Sequence, residues 1–140
     1  MKVYMRWIYV GWLGIISGAI VLQIYLAGYG VFAFNGLDAF FPHFVVGDLI
    51  GIAILLGIGL AFAARVPWRI TGINGALAVL MVIQFVLAHT GVQVISALHV
   101  VNGVLIFAVA LYLTWEASKV ARLETLPVHE ALPTAAAHHA

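Results

Sequence analysis

The sequence predicts an all-α integral membrane protein folded as a four-helix up-down-up-down bundle. Of its 140 residues, 65% are hydrophobic and only 8% are charged, a balance typical of a chain whose surface faces lipid. Four apolar stretches reach the roughly 20 residues that a spanning helix needs, and they cover about 7–34, 41–64, 70–88 and 92–115. Because the connections are short, neighbouring helices should be antiparallel and the two even-numbered helices diagonally opposed.

The first helix follows Lys2 and Arg6, the charge pattern of a signal peptide. Its apolar stretch is much longer than the ~7–15 residues of a cleavable signal core, so we expect a permanent helix. The second helix should start near Asp38 or Ala39. Pro42 then falls in its first turn, where the N–H that proline lacks would be unpaired anyway.

The third and fourth helices are separated by a short loop at 89–91, and the fourth continues beyond the membrane to about residue 123. The sequence after Glu124 contains Pro127, Pro133 and an alanine-rich end, with too little apolar periodicity to pack. We therefore predict one transmembrane domain over 1–123 and a flexible cytoplasmic tail over 124–140.

The basic residues predict the orientation in the membrane. They fall only in the N-terminal segment, the loop between the second and third helices, and the tail: Lys2, Arg6, Arg65, Arg69, Lys119 and Arg122. Under the positive-inside rule, both termini are cytoplasmic and the protein lies in the inner (plasma) membrane as a multi-pass protein. These residues are split over three segments and form no basic stripe, so nucleic acid is not expected as a partner.

Two histidines within the spans, His43 and His99, are the main functional candidates. A titratable side chain inside a membrane indicates a functional site, since hydrocarbon offers it no hydrogen bonds. Both lie on parallel, diagonal helices near the same membrane side, an arrangement suited to the two axial ligands of a haem iron. In the alternative interpretation, His43 is hydrated by water at the membrane interface and His99 forms a hydrogen bond with another helix.

Glycines follow both histidines at helical spacing. Gly47 and Gly51 lie four and eight positions after His43, and Gly103 lies four after His99, so they share the faces of the imidazoles. We predict that they make room for a flat macrocycle, although helix packing alone also explains them.

Further polar residues cluster near the same side. We include Gln84 and Asn102 among the cofactor-binding candidates. Asp48 is expected to face a neighbouring helix, with Gln23, His89 or the second nitrogen of His99 as its partner, or to be a protonated acid bonded to a glutamine. His89 is expected at the membrane boundary, satisfied by water or by a haem propionate.

Residues 84–107 resemble the third and fourth helices of one half of the haem A synthase fold: Gln84, then Gly91 in the loop, then Ala97–Leu98–His99 and Asn102–Gly103. The stretch from Gln23 to Gly28 resembles that family's first helix more loosely, and His43 takes the place of the histidine at the start of its second helix. In that family each four-helix half binds a haem, b-type in one half, between histidines of the even-numbered helices. The resemblance therefore implies that His43 and His99 are iron ligands.

This chain departs from the family in having one half and not two, and in offering only Asp38 where the family has a catalytic glutamate ahead of the second-helix histidine. Oxygenation of a haem methyl group is therefore not expected. The hypothesis is a small bis-histidine b-type cytochrome with one haem b per protomer, which serves as an electron carrier or a haem-bearing subunit of a larger membrane redox complex. A homodimer is a further expectation from the two-half relatives.

The main alternative is a cofactor-free accessory or assembly subunit of a respiratory or photosynthetic complex. A quinone-binding protein using Gln23, Asp48 and Gln84 is a third possibility. The sequence favours electron transfer or an accessory role over an independent enzyme. It contains no cysteine, which excludes thiolate ligands and iron–sulfur clusters.

Overall fold

The computed structural model describes residues 2–33 and 36–123, and it confirms the predicted all-α four-helix bundle. The helices are α1 (Lys2–Phe32), α2 (Phe41–Ala63), α3 (Trp68–His89) and α4 (Gln93–Leu123), with a short 3-10 helix at Gly36–Phe40 before α2. All four are long and apolar enough to cross a membrane. Large apolar side chains are exposed along every helix, as expected of surfaces that contact lipid.

The helices form a ring in the order α1, α2, α3, α4, in which each packs against its two neighbours. Diagonal helices meet only through side chains among the described residues, as Asn74 of α3 does with Tyr9 of α1. One end of the bundle carries the start of α1, the α2–α3 connection and the end of α4; we call it the basic end. The opposite end carries the 3-10 helix and the α3–α4 connection, and we call it the histidine end.

The first helix begins at Lys2 and not near residue 7. The fourth continues past its apolar stretch to Leu123, close to the predicted limit, as one helix of 31 residues. The added turns of α4 are held by ion pairs, since Glu116 accepts from Lys119 at 2.7 Å and from Arg69 of α3 at 2.6 Å. Hydropathy alone marks the apolar part of such a helix and not its polar extension. The proposed tail, 124–140, lies outside the described residues.

The α2–α3 connection shows why the chain turns tightly at the basic end. Arg65 adopts a left-handed backbone with φ 50°, and the N–H groups of Arg65 and Val66 donate to the carbonyls of Phe62 and Ala61. This pattern is a Schellman motif, which normally ends in glycine. The guanidinium of Arg6 donates to the carbonyl of Arg65 at 3.0 Å, so α1 helps to hold the turn.

The basic half of the bundle contains a dense core. Tyr9, Leu13, Ile54, Leu77 and Leu113 have at most 1% of their surface exposed. A larger set of buried residues extends this core along the bundle. Side chains of α1 and α3 pack tightly against Gly57, where a Cβ would lie 3.0 Å from the amide nitrogen of Asn74 and 3.6 Å from the Trp12 ring.

Candidate functional site

His43 is fixed to α1 by its neighbour Gln23. The Nδ1–H of His43 donates to the backbone carbonyl of Gln23 at 3.2 Å. Because a carbonyl only accepts, Nδ1 carries the proton and Nε2 of the neutral ring keeps the lone pair. The side-chain amide of Gln23 donates to the carbonyl of His43 at 2.8 Å and lies 3.4 Å from Nε2. The ring orientation and tautomer are thus set by α1.

His99 is fixed to α3 in the same way. Its Nδ1–H donates to the backbone carbonyl of Gln84 at 3.1 Å, and the Gln84 amide nitrogen lies 3.2 Å from its Nε2. Asn102, buried on α4, donates to the Gln84 side-chain oxygen at 2.7 Å and to the Leu80 carbonyl at 2.9 Å. These two hydrogen bonds orient the side-chain amide of Gln84 so that its N–H group points to Nε2 of His99.

The two glutamine–histidine pairs are structural repeats of each other. Each has a glutamine on the odd-numbered helix and a histidine with a glycine four positions later on the even-numbered helix. Each glycine gives the glutamine room: a Cβ on Gly47 would lie 2.9 Å from the Gln23 amide nitrogen, and one on Gly103 would lie 3.3 Å from that of Gln84. Since α1 pairs with α2 as α3 pairs with α4, the halves are related by an approximate two-fold axis along the bundle.

This arrangement brings the two imidazoles together near that axis. The ring centroids of His43 and His99 are 6.2 Å apart, with 64° between the ring planes. Both rings are partly buried. They border a cavity of about 410 Å³, within the 300–1,000 Å³ range of small-molecule sites. Its apolar lining comes from all four helices: Ile20, Ile24, Ala27, Phe44, Ile50, Met81, Phe85, Val100, Val104 and Ile106.

The structure places most, but not all, of the predicted site residues at this cavity. His43, His99, Gly47, Gly103 and Gln84 line it. Asn102 does not line it and acts on it only through Gln84.

Gly51 also lies away from the cavity, because eight residues turn a helix roughly 80° past the starting face, against roughly 40° for four. A Cβ on Gly51 would lie 3.2 Å from the Phe85 ring, so this glycine permits close packing of α2 on α3. The expectation that it makes room beside His43 was wrong.

Three other polar residues behave differently from expectation. Gln23 holds His43 directly, whereas the sequence suggested it as a partner for Asp48 or as part of a quinone site; its side-chain oxygen is buried without a hydrogen bond among the described residues. Asp48 is exposed, and no hydrogen bond or ion pair joins it to the described chain, so the predicted helix-to-helix partner was wrong. His89 is exposed at the cavity's edge and its Nδ1–H donates to the Phe85 carbonyl at 2.7 Å.

Within residues 2–33 and 36–123, no group of three or more histidine, cysteine, aspartate or glutamate side chains is arranged to hold a metal ion. Among the described residues that line the cavity, four carry imidazole or carboxylate groups that can ligate a metal: His43, Asp48, His89 and His99.

Comparison with known proteins finds similarity over a stretch of the chain that includes part of this site. A family model described as a family of unknown function (DUF6220) matches residues 23–91. No curated protein and no solved structure matches the chain. The matched stretch is just under half of the chain; it begins at Gln23, includes His43 and Gln84, and ends at Gly91, before the helix that carries His99. Over these residues the chain is similar to a family whose description assigns no function.

Proposed function

We propose that this protein binds one haem b between His43 and His99 and serves as an electron carrier or as the haem-bearing subunit of a larger membrane redox complex. The observation that supports this most is the pair of neighbouring imidazoles, with ring centroids 6.2 Å apart, each with its Nδ1–H held by a backbone carbonyl and both bordering an apolar cavity. The resemblance to half of haem A synthase points to the same two ligands.

The donor geometry fits such a cofactor. A metal–imidazole bond is about 2 Å long, and a ring nitrogen lies about 1 Å from the ring centroid, so one metal between two imidazoles holds their centroids about 6 Å apart. The observed separation of 6.2 Å agrees with this value. Each Nε2 has only a glutamine amide within bonding distance, at 3.2 and 3.4 Å, and ligation would replace those contacts.

The residues around the ligands have defined roles in this proposal. The carbonyls of Gln23 and Gln84 fix the tautomer and orientation of each imidazole, as outer partners of ligating histidines do. The apolar lining excludes water. His43 and His99 would hold the haem, which would supply one-electron redox chemistry. With both histidines engaged, the proposed chemistry is electron transfer and not oxygen activation.

The proposed location is the plasma membrane with both termini in the cytoplasm, since the basic residues all lie at one end of the bundle. The histidine end would then face outwards. A larger complex or a homodimer is the proposed assembly, in line with the two-half architecture of the proteins it resembles.

The test is the absorption and electron paramagnetic resonance spectrum of protein expressed with added haem precursor. We expect a reduced-minus-oxidised α-band and a low-spin ferric signal of bis-imidazole iron. His43→Ala and His99→Ala should each abolish the low-spin signal. His89→Ala is the matched control, because His89 borders the same cavity but is not a proposed ligand, and it should retain the signal.

Purified protein without an α-band, or low-spin signals that survive in both ligand variants, would refute the proposal. The second candidate function is that of a cofactor-free accessory subunit, and the hydrogen bonds of the two histidines support it. Both nitrogens of each imidazole have a partner in the present structure, as expected if the histidines only join helices in a cofactor-free accessory subunit. A colourless protein with native stability would support that function.

A further inference from the structure

The histidine cavity is formed by two halves of the chain that match closely in sequence as well as in structure. Identical residues recur at one constant spacing from α1 to α3 and at another from α2 to α4. The first set is Gln23 with Gln84, Leu26 with Leu87, Ala27 with Ala88 and Gly30 with Gly91. The second set is His43 with His99, Val45 with Val101, Gly47 with Gly103, Leu49 with Leu105 and Ile50 with Ile106. The chain thus repeats one helical hairpin, and positions where the copies differ show how the two half-sites differ.

One such difference lies beside the glutamines, where Asn102 of α4 corresponds to Val46 of α2. The Leu80 carbonyl only accepts, so the atom of Asn102 that lies 2.9 Å from it is the amide nitrogen. The same nitrogen donates to the side-chain oxygen of Gln84 at 2.7 Å. The Gln84 amide therefore cannot exchange its oxygen and nitrogen, and its N–H is held on Nε2 of His99 at 3.2 Å.

The other half lacks this restraint. Val46 has no polar group, and the side-chain oxygen of Gln23 is buried without a hydrogen bond among the described residues. The Gln23 amide nitrogen donates to the backbone carbonyl of His43 at 2.8 Å and is only 3.4 Å from Nε2. Its main hydrogen bond therefore does not involve the lone pair of the imidazole.

A metal that takes the two Nε2 lone pairs would meet different costs in the two halves. At His43, the Gln23 amide keeps its shorter bond to the backbone carbonyl. At His99, the Gln84 amide nitrogen loses its one hydrogen bond within the described chain, while Asn102 still holds the amide in place. An unsatisfied donor in an apolar cavity is unfavourable. Ligation by His99 is therefore the more costly of the two.

We propose that the two imidazoles are unequal ligands, because the Gln84 amide, held by Asn102, competes with a metal for the Nε2 lone pair of His99, whereas Nε2 of His43 is open. This inference rests on the proposed haem site and concerns how that site captures haem. His43 ligates first and contributes most of the affinity. His99 completes the pair only after the Gln84 amide leaves its lone pair. Gln84 and Asn102 are thus positioning residues that act on His99.

The first test needs no haem. It is the 15N NMR spectrum of histidine-labelled protein purified without haem in detergent micelles, with signals assigned from His43→Ala and His99→Ala. The Nε2 resonance of a neutral imidazole moves when that nitrogen accepts a hydrogen bond. Gln84→Leu removes the amide but leaves the backbone carbonyl that holds Nδ1–H, so it should shift the Nε2 resonance of His99. Gln23→Leu should shift that of His43 much less.

The second test is titration of the same protein, in lipid nanodiscs, with haemin. Gln84→Leu should lower the Kd about tenfold, the equivalent of about 1.4 kcal/mol, which lies within the range for an unsatisfied buried donor. A purely structural role of Gln84 would instead raise the Kd. Gln93→Leu is the matched control, since Gln93 is exposed and lies outside the cavity, and it should leave the Kd unchanged.

Two further comparisons use the ligands and the restraint. His43→Ala should raise the Kd for haemin about tenfold more than His99→Ala does. Asn102→Val keeps Gln84 and gives α4 the residue type that α2 has at Val46, so it should also lower the Kd. An unchanged or higher Kd in both Gln84→Leu and Asn102→Val, or a greater loss in His99→Ala than in His43→Ala, would overturn the inference.

The two tests also separate this inference from the proposed function. A wild-type protein that binds no haemin refutes the haem proposal. The NMR result then decides whether Gln84 occupies the lone pair of His99: a shift in Gln84→Leu supports the competition, and an unmoved resonance overturns it.

Discussion

Asn102 is predicted to stabilise the histidine end by orienting Gln84. Replacing it with leucine, which is of similar size, removes two donated hydrogen bonds, to the Leu80 carbonyl at 2.9 Å and to the Gln84 side-chain oxygen at 2.7 Å. Interhelical hydrogen bonds in membrane proteins contribute about 0.6 kcal/mol each. The Gln84 oxygen also loses its partner, which costs about 1 kcal/mol or more when the group is buried. We expect a total loss of about 2 kcal/mol.

The assay is reversible unfolding in mixed detergent micelles, followed by circular dichroism. The Asn74→Leu variant provides a comparison at the other end of the bundle, where the amide donates one longer bond, 3.3 Å, to the Tyr9 hydroxyl. If both variants carry haem, only Asn102→Leu should alter the low-spin signal, since only Asn102 acts on a histidine. A free energy of unfolding within about 0.5 kcal/mol of the wild type would show that the two bonds of Asn102 do not support the fold as argued.

Two other predictions concern packing and surface charge. Gly57→Leu should destabilise the bundle by about 1–3 kcal/mol in the same unfolding assay, the range for overpacked cores, because a Cβ there meets the Asn74 amide at 3.0 Å; Gly59→Leu, which has open space around it, should have no effect. Glu116→Gln removes the surface ion pairs with Arg69 and Lys119, and its effect on the unfolding midpoint should disappear in high salt, where surface charges are screened. An equal effect of the two leucine variants, or a salt-independent effect of Glu116→Gln, would contradict these arguments.

The fold could be predicted from the sequence because a spanning helix has one dominant requirement, a long apolar stretch. That requirement identified all four helices. It could not locate the start of α1, because that end is stabilised by the contact of Arg6 with the α2–α3 connection. Such contacts depend on the tertiary structure and leave no mark in hydropathy.

The site could be predicted only in part. His43 and His99 are conspicuous because imidazole is rare in apolar spans. The role of Gln23 could not be inferred, since the decisive hydrogen bond uses its backbone carbonyl, which every residue has. The repeat was also hidden, because the separation of glutamine from histidine is 20 residues in one pair and 15 in the other. The relation between the α1–α2 pair and the α3–α4 pair becomes apparent only when the helices are compared without the connections between them, which differ in length.

Asp48 shows a different limit of sequence reasoning. Its spacing of five residues from His43 correctly placed it about 140° around the helix from the imidazole. What lies in that direction depends on how α2 is rotated in the bundle. The close approach of Gly47 to Gln23 and of Gly51 to Phe85 fixes that rotation. The same two glycines that pack α2 between its neighbours thus turn His43 towards Gln23 of α1 and leave Asp48 at the exposed edge of the cavity.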